Sequence, residues 1–254
     1  MKHLVISVSP DSSLNLLGKF ADLILLDEQS KTEVTQSYDS LYIRSHFSKP
    51  DTMPQVFHNE INNLVKQAKQ LNLEITFIDS LDTVDEIVAF EDKWHQYQLF
   101  SDLMPNTELF DRADLSRFRK PIFKNRLSSR GSGVTWNEPD SLKAKSDWIV
   151  QESIDIEEEL RIYIVKGLVY TTGALRNSMT EGQKAQVVNA KKLSDKEIKF
   201  ALAVAKITSK MDFIGLDIAK TYDGHIYLME VNRSPGFAAF EKVTQVNLAS
   251  ILYK

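Results

Sequence analysis

The chain has 254 residues, 43% hydrophobic and 26% charged, which is the composition of a soluble globular protein with a substantial core. Its formal net charge is -4 and its lysines and arginines are dispersed, which argues against nucleic acid as the main ligand. Cysteine is absent, so disulfides, thiolate nucleophiles and cysteine metal sites are excluded. The first residues carry too short an apolar run for a signal peptide, and no later segment is typical of a membrane span. We therefore expect a cytoplasmic protein without membrane contact.

The first ninety residues alternate strand-like and helix-like segments. Strands are predicted over 4–8, 23–26, 39–45 and 75–78, the first two of them buried. One face of a helix is marked by Ile61, Leu64, Val65, Ala68 and Leu71. Because such alternation produces parallel sheets covered by helices, we expect a small open α/β domain over residues 1–95.

Residues 121–134 combine a strand that ends at Lys124 with a loop of small residues. The loop contains Arg130, Gly131, Ser132 and Gly133. Backbone N–H groups at glycines can approach anionic oxygens, and the lysine adds a positive charge, so the loop can cover phosphates. It lacks the Walker A ending and the Rossmann glycine spacing, and a plain glycine hairpin is the alternative interpretation.

Further strands are predicted after this loop. An apolar strand over 148–151 runs into the polar residues Gln151, Glu152, Ser153 and Ile154, and it lines an adenine slot or ends at the surface. Segments 159–165 and 168–175 are expected to form a hairpin around Lys166-Gly167. Ser194 and Glu197 form a capping box that begins a helix, with Ile198, Ala201, Leu202 and Ala205 on its inner face.

The last two strands are predicted to be joined by a tight turn. Asp223-Gly224 is a strong signal for a two-residue hairpin loop, which pairs Tyr222 with His225. Counting back along both strands then places Asp217 directly opposite Glu230, with Cβ atoms about 5 Å apart.

Asp217, Glu230 and Asn232 therefore share one face of this hairpin. Two facing carboxylates repel each other unless a cation lies between them, and Mg²⁺ prefers this set of oxygen ligands. The alternative is a hairpin whose polar face is solvated.

These segments, in this order, resemble the ATP-grasp superfamily, most closely its RimK-like carboxylate–amine ligases, from about residue 91 to residue 254. The motifs that carry the resemblance are Glu91-Asp92-Lys93-Trp94, Phe123-Lys124 with the glycine loop, Gln151-Glu152-Ser153-Ile154, Glu159-Leu160-Arg161, Phe213-Ile214-Gly215-Leu216-Asp217-Ile218 and Glu230-Val231-Asn232-Arg233-Ser234-Pro235-Gly236-Phe237. The last string is the most specific. The resemblance implies an α/β fold in which two ATP-grasp subdomains, 96–150 and 151–254, follow the N-terminal domain.

The resemblance also implies roles for individual residues. The ATP-binding residues would be Lys93, Lys124, Arg130, Gly131, Ser132, Gly133, Gln151, Glu152, Ser153, Ile154, Glu159 and Asn189. Asp217, Glu230 and Asn232 would bind two Mg²⁺ ions, which Mn²⁺ could replace. Arg176 would steady the transferred phosphoryl group and the acyl phosphate, and Arg161 would help position the same region.

The implied reaction is ATP-dependent formation of an amide or peptide bond through an acyl phosphate, with release of ADP and phosphate. The partners would be ATP, a carboxylate and an amine carried by an amino acid, a peptide or a protein. A small-molecule kinase and a nucleotide-binding module without turnover are the alternatives, although the complete set of metal ligands argues against the module.

The sequence says little about the substrates. The glycine pair that RimK-like enzymes carry after an asparagine is missing after Asn189. Residues 1–90 match the family loosely, through the strand end at 42–45, where Arg44 would face either the substrate cleft or the surface. The general base and the oligomeric state stay open.

Overall fold

A computed structural model describes residues 1–8, 10–26, 32–44, 55–128, 133–139, 145–177 and 186–254. The strands are β1 (His3–Ser7), β2 (Asp22–Leu25), β3 (Ser40–Ile43), β4 (Thr76–Phe77), β5 (Thr107–Leu109), β6 (Pro121–Asn125), β7 (Val134–Thr135), β8 (Trp148–Glu152), β9 (Ile156–Val165), β10 (Leu168–Val169), β11 (Thr172–Arg176), β12 (Val187–Lys192), β13 (Phe213–Thr221) and β14 (Ile226–Asn232). The α-helices are α1 (Ser12–Leu17), α2 (Gln55–Leu71), α3 (Val84–Glu91), α4 (Lys93–Phe100), α5 (Asp195–Ile207), α6 (Ala238–Thr244) and α7 (Leu248–Tyr253). The predicted mixture of helices and sheets is confirmed.

The N-terminal sheet has the strand order β2-β1-β3-β4, and its pairs are parallel as predicted. Its core contains the buried side chains of Leu4, Ile6 and Leu41. The prediction that 23–26 is a buried strand is wrong for Leu23 and Leu25, which are 40% and 43% exposed. β2 is an edge strand, so one of its sides has no neighbouring strand to cover it.

Helices α3 and α4, which the sequence patterns did not predict, meet at Asp92. The backbone of Asp92 is extended, with ψ of 119°, so helix α3 ends there. Its side chain accepts a hydrogen bond from the N–H of Trp94 at 2.8 Å and caps the next helix. As a result, Glu91, Asp92 and Lys93 lie together at one corner between the sheets.

Two antiparallel sheets form the rest of the molecule. The smaller sheet has the order β5-β8-β6-β7 and packs Phe110, Phe118 and Phe123 into its own core. The larger sheet has the order β12-β11-β9-β13-β14, with β10 paired to β9. The predicted hairpin around Lys166-Gly167 is confirmed by the pairing of Leu168 with Val165.

Helix α5 packs on the larger sheet. Its capping box between Ser194 and Glu197 is present in both directions, as predicted. Ala201 and Val204 are fully buried, whereas Leu202, predicted to face inward, is 48% exposed. The buried face of the helix therefore contains Ala201 and Val204, and Leu202 lies at the border between that face and solvent.

The hairpin of β13 and β14 has the predicted register at Asp217, but its loop differs from the predicted loop. The N–H of Thr221 donates to the carbonyl oxygen of His225 at 2.9 Å, so the loop has three residues, and the predicted pairing of Tyr222 with His225 is wrong. Gly224, at φ of 78°, closes this longer loop in the left-handed region. The register then shifts between Asp217 and Ile218.

The shift is a bulge on β14. Ile218 pairs with Leu228, whereas Asp217 pairs with Glu230, so Met229 is the extra residue. The bulge restores the one position that the longer loop removed. The predicted pairing of Asp217 with Glu230 is therefore confirmed.

Among the helices that the structure describes, none is both long and apolar enough to cross a bilayer.

Candidate active site

Asp217 lies at the centre of a cluster of charges on the larger sheet. Arg161, its neighbour on β9, donates from Nε to Oδ1 at 2.6 Å and from Nη2 to Oδ2 at 2.7 Å. Arg176, at the end of β11, donates from Nη1 to Oδ2 at 2.7 Å. Asn232 donates from Nδ2 to the same Oδ2 at 3.3 Å. Two predicted catalytic arginines and two predicted metal ligands are thus in direct contact.

The two arginines determine the charge of Asp217. Burial opposes ionisation of this carboxyl group, but Arg161 and Arg176 outweigh burial and lower its pKa to about 2. Asp217 is therefore a carboxylate at neutral pH. The sequence prediction required a cation between the facing carboxylates, and the guanidinium groups provide positive charge at one of them, Asp217.

Glu230 differs from Asp217 although the two residues are paired. Its side chain makes no hydrogen bond or ion pair with any other residue that the structure describes, and its negative charge only partly opposes the lowering of the Lys93 and Lys124 pKa values by burial. Its carboxylate oxygens are therefore uncommitted. The amide oxygen of Asn232 is also left without a described partner, because only its Nδ2 contacts Asp217.

These three side chains suit a hard divalent cation. Their donor atoms are carboxylate and amide oxygens, which Mg²⁺ prefers. Over the described ranges no group of three or more His, Cys, Asp or Glu residues could bind a metal, so the amide of Asn232 is needed to complete this set. The residues present therefore fit Mg²⁺.

Lys93 and Lys124 form a second, cationic part of the site. Lys124 donates to Oε1 of Gln151 at 2.6 Å, and the Nε2 of Gln151 donates to Oγ1 of Thr107 at 2.8 Å. Lys93 donates to the backbone oxygen of Ser128. Burial lowers the pKa of both lysines, and the charge of Lys93 helps to lower that of Lys124 to about 8. Within the described ranges neither lysine forms an ion pair, so both charges are available to an anion.

The predicted adenine hinge follows β8. The carboxylate of Glu152 accepts hydrogen bonds from the N–H groups of Arg119 and Lys120, at 2.9 and 3.0 Å. The N–H of Ser153 donates to the oxygen of Lys120 at 2.8 Å. The Glu152 side chain therefore stabilises the turn before β6. The N–H of Ile154 donates to no other residue in the described ranges, so it is the hinge group open to a ligand.

The phosphate loop is described only at its ends, because Arg130, Gly131 and Ser132 lie outside the described residues. Gly133 has φ of 70°, and a Cβ there would lie 2.9 Å from the Cβ atoms of Asn125 and Ser128. Glycine is therefore required at this end of the loop.

Two predicted ATP contacts remain, Glu159 and Asn189, and their surroundings differ. Glu159 is partly buried in β9 opposite Arg176, and its charge partly opposes the lowering of the Lys124 pKa by burial, so the two side chains are electrostatically coupled. Asn189 is exposed on the edge strand β12, and its Oδ1 accepts from the N–H of Ala190 at 2.8 Å. Its side chain is thus engaged with its own strand.

The sequence predictions missed a buried ionic network centred on Arg233. This arginine is 1% exposed and donates to Oδ2 of Asp79 at 2.9 Å, to Oε1 of Glu91 at 3.0 Å and to the oxygen of Ile43. Its own carbonyl oxygen accepts from the hydroxyl of Tyr42 at 2.6 Å. The network ties the N-terminal sheet to the strand of the metal ligands. A charged residue inside a string of small and apolar residues was the available signal.

Arg44 does not lie at the surface, which was one of the two places left open for it. It is 2% exposed, and its Nη2 lies 3.2 Å from Oδ2 of Asp11. It is buried at the end of β3 and stabilises the beginning of α1, because Asp11 caps that helix.

The chain was compared with known proteins. The family model of the RimK-like ATP-grasp domain matches residues 104–254. A probable alpha-L-glutamate ligase 2 of Hahella chejuensis is 29% identical over 149 residues, which are 52% of this chain and 47% of the relative. The chain thus spans about half the length of this curated relative.

Solved structures share the fold. The ATP-grasp ligase PsnB complexed with minimal precursor has a TM-score of 0.70 at 15% identity, covering 100% of this chain and 97% of PsnB. The same ligase was also solved with precursor, Mg and ADP. The macrocyclase MdnC of Microcystis aeruginosa MRC, bound with precursor peptide MdnA, has a TM-score of 0.62 at 18% identity and covers 100% of both chains. The expected ATP-grasp fold is confirmed, and the chain belongs to the RimK-like ATP-grasp family.

Proposed function

We propose that this protein is an ATP-dependent carboxylate–amine ligase, which forms an amide bond through an acyl phosphate and releases ADP and phosphate. One observation carries the proposal. Two lysines without ion-pair partners in the described ranges lie within electrostatic reach of Glu230, beside the cluster of Asp217 and its arginines. This arrangement offers positive charge to a triphosphate and oxygen ligands to its cation.

The lysines bind the nucleotide's phosphates. Lys124 and Lys93 are held by neutral hydrogen-bond partners, so their charges are oriented before the anion arrives. Charges fixed in advance stabilise the transition state of phosphoryl transfer without further reorganisation. Gly133 would lie at the phosphates, as would Arg130, Gly131 and Ser132, which are outside the described residues, and the N–H of Ile154 would donate to adenine.

Asp217, Glu230 and Asn232 would hold Mg²⁺, two ions in our proposal, with Mn²⁺ as a substitute. When bound, the cation neutralises phosphate oxygens and orients them for transfer. Asp217 is ionised and can accept a cation without losing a proton, and the side chain of Glu230 has no described hydrogen-bond partner to give up.

Arg161 and Arg176 stabilise the reacting phosphoryl group. A carboxylate is a poor electrophile, so its oxygen first takes the γ-phosphoryl group and the bond to ADP breaks. The amine then attacks the carbonyl carbon, loses a proton, and phosphate leaves. Arg176 would turn from Asp217 toward the phosphoryl oxygens when Asp217 holds a cation, because the planar fork of its guanidinium suits bidentate contact with them.

The substrates are proposed from the comparisons and from the reaction type. Curated relatives are named probable alpha-L-glutamate ligases, and structural neighbours were solved with precursor peptides. We propose that the amine and the carboxylate belong to amino acids, peptides or proteins. A cytoplasmic location, based on the sequence, is part of the same proposal.

A phosphate-release assay with product mass spectrometry tests the function. The protein with Mg-ATP is screened against amino acids, peptides and diacids, with Glu230→Ala as the inactive control. The expected result is phosphate release that requires both substrates, together with a product lighter by one water than their sum. A stable phosphorylated product without phosphate release would identify a kinase, and an absence of ATP consumption would identify a binding module.

A further inference from the structure

Gln96 connects helix α4 to the strand that carries two of the candidate metal ligands. Its side chain is 2% exposed, and 135 residues separate it in sequence from Val231. Its Nε2 donates to the carbonyl oxygen of Val231 at 2.9 Å, and its Oε1 accepts from the N–H of Val231 at 2.9 Å. Nε2 also donates to the oxygen of Phe90 at 3.1 Å.

Val231 stands between Glu230 and Asn232, on the strand at the edge of the larger sheet. An edge strand presents unpaired backbone groups, because no further strand accepts or donates hydrogen bonds there. The carboxamide of Gln96 takes the place of that missing strand at one residue. It therefore fixes the two peptide planes that flank Val231.

Those two peptide planes determine where the ligand side chains point. In a strand, residues 230 and 232 project to the same face, so both depend on the orientation of the peptide groups at 231. The bulge at Met229 interrupts the regular ladder immediately before Glu230. A second restraint at Val231 is needed to keep the ligands in register after this irregularity.

We propose that Gln96 is a positioning residue for the candidate metal site, orienting Glu230 and Asn232 through the backbone of Val231. The inference rests on the proposed function. Gln96 lies one helical turn from Lys93, so a single helix holds both the phosphate-binding lysine and the strand of the metal ligands.

The test measures Mn²⁺ binding by electron paramagnetic resonance with a nonhydrolysable ATP analogue, so it does not depend on turnover. Gln96→Met keeps the length of the side chain and removes both hydrogen-bonding groups. Gln96→Glu keeps the acceptor for the N–H of Val231. Gln98→Met is the matched control, because Gln98 is exposed on the same helix.

The Mn²⁺ dissociation constant is expected to rise about tenfold or more in Gln96→Met, as is usual for residues that orient metal ligands. Gln96→Glu should give a smaller rise, and Gln98→Met none. A parallel titration of ADP in EDTA should be unchanged in all three, since the lysines remain in place.

If folded Gln96→Met binds Mn²⁺ with wild-type affinity, the inference is overturned. Equal losses of Mn²⁺ binding and of metal-free ADP binding would also overturn it, because they would indicate a general loosening of the fold. If Gln96→Met does not fold, unchanged Mn²⁺ affinity in Gln96→Glu overturns it instead. Absence of Mn²⁺ binding in the wild-type protein would contradict the proposed function itself, whereas normal wild-type binding with an unaffected variant contradicts only the role of Gln96.

Discussion

The carboxylate part and the lysine part of the candidate site hold their charges in opposite ways. Asp217 is neutralised by Arg161 and Arg176 within the sheet. Lys93 and Lys124 have only neutral hydrogen-bond partners, and burial lowers their pKa values. Asp217 is compensated before any ligand arrives, whereas the lysine part has positive charge to spare. Asp217 should therefore matter for stability and function together, and the lysines mainly for binding.

The sharpest contrast is between two paired carboxylates. Asp217→Ala and Glu230→Ala should each reduce ATP consumption at least about 100-fold, because both remove a ligand near developing charge. Only Asp217→Ala should also destabilise the fold, by up to the roughly 3–5 kcal/mol of a fully buried pair, since it leaves two partly buried arginines without their counter-ion. Urea unfolding in EDTA measures this difference.

Glu230→Ala should leave the free energy of unfolding nearly unchanged without metal, because Glu230 has no described hydrogen bond or ion pair to lose. Equal destabilisation by Asp217→Ala and Glu230→Ala would contradict the claim that the ion pairs of Asp217 stabilise the fold and that Glu230 does not.

Arg233 is a second compensated charge and connects β14 to the N-terminal sheet. Arg233→Met should lower the free energy of unfolding by about 3–5 kcal/mol, because Asp79 would keep a buried charge without its counter-ion. Arg119→Met is the control, since its ion pair with Asp155 is exposed and such pairs contribute about 0–1 kcal/mol. Similar losses in both variants would contradict the importance of burial.

The lysine part should respond to pH. A bound triphosphate raises the pKa of Lys124 from about 8, so nucleotide binding takes up a proton at higher pH, and nucleotide affinity falls as pH rises above that value. Lys124→Arg remains charged and should weaken this dependence. Calorimetry of ADP binding in buffers of different ionisation enthalpy measures the proton uptake. If the nucleotide affinity of the wild-type protein does not depend on pH, the charge of Lys124 does not contribute to nucleotide binding.

The smallest effect is expected at the end of the phosphate loop. Gly133→Ala places a Cβ against Asn125 and Ser128 in addition to the left-handed backbone, and should destabilise by more than the roughly 1–2 kcal/mol of that conformation alone. Gly224→Ala is the control, because its φ is also positive and no atom lies within 4 Å. Melting temperatures and nucleotide affinities of both variants check whether Gly133→Ala has the larger effect.

The hairpin shows what could be predicted from the sequence and what could not. The pairing of Asp217 with Glu230 was predicted correctly, although the loop has three residues and a bulge at Met229 compensates for it. Local turn signals do not reveal bulges, because a bulge depends on the packing of both strands. The helix at Ser194 was predicted well because its capping box is local.

Contacts between distant segments could not be predicted. No local pattern relates Arg233 to Asp79, 154 residues earlier, or Gln96 to Val231. The ion pairs of Asp217 were missed for the same reason, since the motif named Arg161 and Arg176 as catalytic without indicating that they neutralise a predicted metal ligand. Motifs identify the participating residues, and only the fold shows which of them form hydrogen bonds and ion pairs with one another.

A crystal structure with Mg²⁺ and a nonhydrolysable ATP analogue tests the proposed site most directly. We expect cations bound by Asp217, Glu230 and Asn232 at the phosphates, with Lys93 and Lys124 on the phosphate oxygens and Arg176 turned away from Asp217. A bound nucleotide with no cation beside Glu230, and with Asp217 still paired to both arginines, would contradict it.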